Sequence, residues 1–239
     1  MHNRCCVLVI PETVLHNEQR RQRENMIILH DVCKTFGGYA AVDHVSLTIK
    51  DHARIAILGP SGSGKTTLLR LIAGLEQPDE GTISINNRIV SSPEILIPPA
   101  DRRIGFVFQS AALWPHKTVA GNILFAIGSL PEAEQKKRLS SLLDRMGITH
   151  LRDRYPDQIS GGEVRRVSLA RALAPLPDLL LFDEPLTNLD RTLREDLLLL
   201  IAESVRDNGS SLVYVTHDDY EATTVADFTI HFEKGRIIR

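Results

Sequence analysis

Apolar residues follow two rhythms along this chain. Arg54 to Leu58, continuously apolar after its first residue, has the texture of a strand buried on both faces, and Arg103 to Phe108, Leu179 to Phe182 and Leu212 to Val215 are further short apolar runs, each ending at a polar residue. Met26 to Leu29 and Val42 to Ile49 read as further strands, separated by the turn-forming Gly37 and Gly38. Thr82 to Ile85 and Arg88 to Val90, joined by Asn86 and Asn87, read as a hairpin. Thr66 to Ala73 has helical spacing, and Gly74 stands where such a helix should stop. Between Ser110 and Ala174 the strand rhythm disappears and helical patterns replace it, notably Pro131 to Met146 and Glu163 to Ala174. The pattern predicts α/β layering on a mostly parallel sheet, with a separate helical lobe. Residues 1–25 stand apart: His16 to Asn25 is almost wholly polar or charged, which predicts a loose N-terminal extension.

Composition narrows the classes. Lys and Arg total 28 against 30 Asp and Glu, so no basic excess exists to bind a phosphate backbone, and nucleic acid is not an expected partner. The longest apolar runs, such as Leu197 to Ala202, fall far short of the roughly 20 residues needed to span a bilayer. The Cys5 to Ile10 run is followed by Pro11, Glu12 and a polar stretch instead of a small-residue cleavage site, so it does not read as a signal peptide. Cys5, Cys6 and Cys33 form no metal-binding pair and suit a reducing compartment.

The chemistry begins where the Arg54 to Leu58 run ends. Gly59-Pro60-Ser61-Gly62-Ser63-Gly64-Lys65-Thr66 fits G-x-x-x-x-G-K-[ST] and lies between a predicted strand and a predicted helix, as the phosphate loop requires. Its glycines let successive N–H groups turn inward, Lys65 can reach the β and γ phosphates, and Thr66 can offer a hydroxyl to Mg²⁺. Leu179 to Phe182 ends in Asp183 and Glu184, which places two carboxylates at the carboxyl edge of the sheet. Asp183 is suited to holding Mg²⁺ through water and Glu184 to orienting an attacking water. Ser160-Gly161-Gly162-Glu163 can form a capping box, and its glycine pair at a helix start also suits an anion.

In this order, the phosphate loop, Ser160 to Glu163 and the Asp183-Glu184 strand resemble the ATP-binding cassette (ABC) ATPases, whose signature is usually Leu-Ser-Gly-Gly-Gln; here Ile159 and Glu163 replace its first and last residues. The resemblance covers about residues 26–239 and implies an α/β P-loop NTPase domain with a mostly parallel core sheet, an antiparallel β subdomain and a helical lobe at about 110–174. It adds Thr67 to the ATP-binding residues and makes Phe36 the adenine-stacking aromatic, with Tyr39 as the alternative. It implies that Gln109 contacts Mg²⁺ and water, that His217 contacts the γ-phosphate, and that Asn188-Leu189-Asp190 runs along a dimer interface. Two copies, or one copy and a related ATPase subunit, would sandwich two ATP molecules, with Ser160 and Gly162 of one closing on the phosphate held by Lys65 of the other.

Ile97 to Arg103 and Ala111 to Ile123 resemble segments of importer ATPases for sugars, polyamines, iron(III) and sulfate or molybdate; the second would receive a coupling helix from a membrane subunit. The implied protein is a peripheral motor on the cytoplasmic face of the membrane, with separate membrane-spanning subunits and a solute-binding protein as partners. The regulatory domain that follows the motor in many such importers is not expected within these 239 residues. The alternatives are a cell-division or lipoprotein-release cassette, which shares the core motifs, and a soluble ABC ATPase. The latter would carry long coiled coils or a second cassette, and neither pattern is present. A GTPase would show an Asn-Lys-x-Asp guanine reader, and none is found.

Overall fold

A computed structural model describes residues 8–9 and 25–238. Most of the stretch expected as a loose extension therefore lies outside the described residues; its Leu8–Val9 (β1) forms a short parallel pairing with Leu47 and Thr48.

Asn25–Phe36 (β2), Tyr39–Lys50 (β3), Glu80–Ile85 (β5) and Arg88–Ser91 (β6) pair antiparallel, giving with β1 a sheet of order β1-β3-β2-β5-β6. β2 and β3 run longer than the apolar pattern predicts. Asp31 and His44 sit at φ 52° and 49°, and the register shifts between Leu29 and Val32, so the alternation breaks while the pairing continues.

The second sheet has the order β11-β10-β4-β9-β8-β7. Arg54–Leu58 (β4), Ile104–Val107 (β7), Leu179–Asp183 (β8), Ser211–Thr216 (β9) and Phe228–Glu233 (β10) are parallel, and Arg236–Ile238 (β11) closes the edge antiparallel. Its faces separate by strict alternation. Ile55, Ile57, Leu179, Leu181, Val213 and Val215 join a core with Leu68, Leu69, Leu71 and Ile72 of Lys65–Ala73 (α1). Leu180, Phe182, Leu212 and Tyr214 face the other core, shared with Gly161–Leu173 (α4) and Arg191–Asn208 (α5). Burial on both faces is why these runs are continuously apolar.

Residues 110–174 contain no strand. Val119–Phe125 (α2), Glu132–Arg145 (α3) and α4 occupy this stretch, and Leu139, Leu143, Met146, Ile123 and Val167 pack into the α4–α5 core. Asp219–Val225 (α6) follows β9 and packs against β4 and β9.

Candidate functional site

The site is assembled where β4, β8 and β9 end together at the carboxyl edge of the parallel sheet. After Leu58 the chain curls through residues 59–64 and enters α1 at Lys65, with Gly64 at the helix cap in a left-handed conformation, φ 105°. A Cβ at Gly64 would stand 1.9 Å from the Ala41 carbonyl oxygen, and one at Gly59 would stand 2.0 Å from that of Phe232. The loop is wedged between main-chain segments of β3 and β10, so glycine is obligatory there. The hydroxyl of Ser63 is buried without a hydrogen-bond partner among the described residues, an arrangement that suits a polar ligand at the loop. Pro60, Ser61 and Gly62 are exposed on the rim, and Thr67 is half-buried in the first turn of α1.

Lys65 is buried; its ammonium donates to the carbonyls of Gly59 (2.7 Å) and Pro60 (2.9 Å) and lies 3.8 Å from Glu184 Oε1. Burial pushes its pKa down, against the opposing pull of Glu184 and Asp183. Thr66 Oγ1 donates to Asp183 Oδ1 at 2.9 Å. Burial pushes the Asp183 carboxyl up, and the Thr66 hydrogen bond opposes it.

Glu184 follows β8 with φ 43°, held there by its N–H to the Val215 carbonyl at 3.0 Å. Its side chain lies between two positive or protonatable groups: Lys65 on one oxygen and His217 Nδ1, 3.5 Å from the other. Thr187 Oγ1 also donates to Oε2, at 3.3 Å. Sequence motifs do not single out Thr187; its place three residues past Glu184, in the turn after β8, is the available signal. Gln109 is exposed at the bend after β7.

Phe36 and Tyr39 face each other across the Gly37-Gly38 turn and are both exposed. Lys34 Nζ stands 5.4 Å over the Phe36 ring, and the Tyr39 hydroxyl donates to the Gly62 carbonyl at 3.4 Å. Tyr39 is therefore the aromatic that touches the phosphate loop.

A second group forms away from the first. Ser160 caps α4 and Glu163 completes the capping box: Glu163 Oε2 accepts from Ser160 N (2.7 Å) and Ser160 Oγ (2.8 Å). These bonds hold the Glu163 carboxyl below the usual carboxylate range. A Cβ at Gly161 would meet nothing within 4 Å, whereas one at Gly162 would press on Leu193 Cδ2 at 2.5 Å. Asp190 caps α5 through Leu193 N, so Ser160 to Glu163 and Asp190 share one surface. Among the described residues no hydrogen bond or ion pair joins that surface to Lys65, Thr66, Asp183 or Glu184.

A family model described as ABC transporter matches residues 42–187. The chain is 46% identical over 213 residues to the sulfate/thiosulfate import ATP-binding protein CysA of Mycobacterium tuberculosis, covering 88% of this chain and 60% of that protein. It is 44% identical over 217 residues to the Fe(3+) ions import ATP-binding protein FbpC of Pseudomonas fluorescens, covering 90% and 61%. It is 45% identical over 211 residues to the trehalose/maltose import ATP-binding protein MalK of Thermococcus litoralis, covering 87% and 57%. The chain thus spans about 60% of the length of these relatives. Among solved structures, the ATP-binding cassette MJ0796, a dimer in a post-hydrolysis state bound to ADP and Pi, superposes with a TM-score of 0.80 at 33% identity, covering 90% of this chain and 97% of that one. CbiO1 of Clostridium perfringens, part of the ABC transporter complex cbiONQ, gives 0.80 at 28% identity, covering 90% and 88%.

Proposed function

This chain belongs to the ABC transporter family, and we propose that it is the ATP-binding and ATP-hydrolysing motor of a solute importer, working as a dimer around two ATP molecules. The observation that carries the reading is the convergence of Lys65, Thr66, Asp183, Glu184 and His217 on one sheet edge. The names of the import ATP-binding relatives support the import direction. The dimeric cassette that the chain resembles supports a paired enzyme. Separate membrane-spanning subunits and a solute-binding protein complete the proposed assembly, with this subunit peripheral on the cytoplasmic face. Among the described residues no helix is long and apolar enough to cross a membrane.

In this reading the main-chain N–H groups of residues 61–66 and the start of α1 bind the phosphates. Lys65 exchanges its bonds to the Gly59 and Pro60 carbonyls for β and γ phosphate oxygens. Phe36 or Tyr39 stacks on the base. Thr66 Oγ1 and Asp183 Oδ1, 2.9 Å apart, match the separation of about 3 Å between neighbouring oxygens in an octahedral Mg²⁺ shell, so these two fit that ion, and Gln109, exposed after β7, is the further proposed ligand. When bound, Mg²⁺ offsets charge on the transferring phosphate. Glu184, fixed from three sides, orients the attacking water and accepts its proton, while His217 reaches the γ-phosphate and holds Glu184. Ser160, Gly161, Gly162 and Glu163 meet the nucleotide of the partner subunit, and Asp190 lines the contact.

Glu184→Gln should lower ATP hydrolysis by about 10²-fold or more while leaving ATP binding intact, since the carboxylate acts on water. Lys65→Ala should instead weaken binding of a fluorescent ATP analogue. Unchanged turnover in Glu184→Gln would sink the assignment.

A further inference from the structure

One guanidinium, outside every motif considered above, touches both the interface loop and the turn that carries His217. Arg194, in the first turn of α5, donates from Nη2 to the Leu189 carbonyl at 3.0 Å, immediately before Asp190. Its Nη1 lies 3.6 Å from Asp218 Oδ2, and its Nε 4.0 Å from Glu221 Oε1. These two carboxylates hold the residues on either side of His217. Glu221, buried, accepts from Thr216 Oγ1 (2.8 Å) and from Tyr214 Oη (3.0 Å). Asp218 N donates to Thr216 Oγ1 at 3.1 Å, and Asp218 Oδ1 accepts from Tyr220 N and Glu221 N, which fixes the start of α6. His217 itself projects from this braced turn toward Glu184, with its ring more than half exposed and 3.5 Å from the carboxylate.

We propose that Arg194 is a positioning residue that ties the Leu189-Asp190 loop to the His217 turn through Asp218 and Glu221. Packing of a second copy against Asp190 would thereby be registered at the γ-phosphate contact. This rests on the roles proposed for His217 and the interface loop. His217 has little packing of its own to set its rotamer, so its aim is inherited from Thr216 and Asp218. The guanidinium presents donors in a rigid planar fork, which couples the loop carbonyl and the two carboxylates geometrically; an ammonium on a flexible stem cannot do so. Arg194 Nε is buried with no hydrogen bond among the described residues, while Glu221 Oε1 lies 4.0 Å away. A small shift of the start of α5, which the loop leads into, towards α6 would bring these two groups into contact.

The test is a cycle of purified full-length variants: Arg194→Ala, Arg194→Lys, Glu221→Gln, His217→Ala and Arg194→Ala with His217→Ala. For each, kcat and KM for ATP and the melting temperature are measured. Arg194→Ala should lower kcat by about 10- to 100-fold, the scale for a misplaced contact group, and leave KM within about twofold. Arg194→Lys should recover only part of this loss. Glu221→Gln, which keeps the shape of the buried partner, should reproduce the fall in kcat even if the alanine variant folds poorly. The decisive readout is the double variant, which should be no slower than His217→Ala alone. If the losses multiply, or if kcat follows only the melting temperature, Arg194 acts as a structural residue and the proposal is overturned. If His217→Ala itself hydrolyses ATP at the full rate, the histidine's role fails, and this inference fails with it.

Discussion

Arg102 shows how a cation can be stored in this interior. Its guanidinium donates to the carbonyls of Ile97 (2.7 Å), Leu71 (3.3 Å), Ile72 (2.8 Å) and Val90 (2.9 Å) and to Ser91 Oγ (2.7 Å). That uses its full donor set. Burial pushes its pKa down to about 10, so it stays charged at neutral pH. Two of its acceptors are carbonyls in the last turn of α1, where the helix dipole is negative and the chain lacks further intrahelical donors. Arg102 thus caps α1 from behind and joins it to the loop after β6. Arg102→Ala would take their donor from the Ile72 and Ile97 carbonyls and the Ser91 hydroxyl, while Leu71 and Val90 keep main-chain donors from Gly74 and Ile97, and should cost about 3 kcal/mol, lowering the melting temperature by roughly 6–12 °C for a domain of this size. Arg102→Lys should recover less than half of that, because one nitrogen cannot serve five acceptors. Urea unfolding of the two variants checks this, and equal stability of Arg102→Ala and the parent would show that water replaces the guanidinium.

At the scale of elements, the N-terminus of α4 poses a conflict of charge. The capping box uses an ionised Glu163, and the same helix end is proposed to meet the phosphates of the nucleotide on the partner subunit. Glutamine would keep an acceptor for Ser160 N and Ser160 Oγ while removing the repulsion. Glu163→Gln should therefore tighten ATP-dependent dimerisation by about fivefold, the effect of roughly 1 kcal/mol of relieved repulsion. The sign with pH follows from the depressed carboxyl pKa. The cap's contribution to stability is present above the unfolded-state pKa of glutamate and is lost as pH falls through the lower folded value. Glu163 is ionised at pH 8, so the gain in the variant should appear there. Analytical ultracentrifugation with ATP at that pH tests this, and weaker dimerisation of the variant would mean that the carboxylate serves the contact. This capping box, like β4, α1 and the Gly74 stop, is legible in the sequence because its determinants are contiguous. Gly74 ends α1 at φ 78° as a left-handed cap. α5 is harder to read although Asp190 and Gly209 bracket it, because the motif residues before it draw attention and its apolar positions blur into the run Leu197 to Ala202. β10 and α6 have no such run; they owe their form to pairing with β4 and to packing, which are tertiary effects. The site follows the same division. Lys65, Thr66, Asp183 and Glu184 stand in motifs, whereas Arg194 and Glu221 become visible only once α5 and α6 are placed.

For the whole molecule, the open question is where a membrane subunit would dock, and the segment from Ala111 to Ile123 is more anchored than its composition suggests. Ile123 is buried in the helical-lobe core and Leu113 packs at its edge. Trp114 is half-buried, its main-chain N–H donates to Asn122 Oδ1 at 2.8 Å, and Arg171 stands 5.1 Å over its ring. Asn122 is fully buried and donates to the carbonyls of Trp114, Lys117 and Thr118, so it fixes the loop. The segment exposes Pro115 and His116, and the large ring beside it is Phe125 at the end of α2, 59% exposed, with its ring centroid 4.2 Å from that of Trp114 and Lys117 above it. The expected apolar contact therefore centres on the Trp114–Phe125 pair, with Phe125 its free face. A desolvated aromatic at the centre of a contact costs about 2 kcal/mol or more when truncated, which is near 30-fold in affinity. Phe125→Ala should weaken assembly with the membrane subunits by that factor and leave basal ATP hydrolysis unchanged, with a smaller loss of melting temperature than Trp114→Ala, because the ring stacks on Trp114 but is itself exposed. Trp114→Ala should weaken assembly as much and also lower stability by about 1 kcal/mol, since it removes a packed and stacked ring. The experiment pairs pull-down by the membrane subunits with melting and basal ATPase measurements on each variant. Retained assembly in Phe125→Ala would move the docking surface away from α2, and a collapse of basal hydrolysis in the same variant would place this pair in the path to the nucleotide instead.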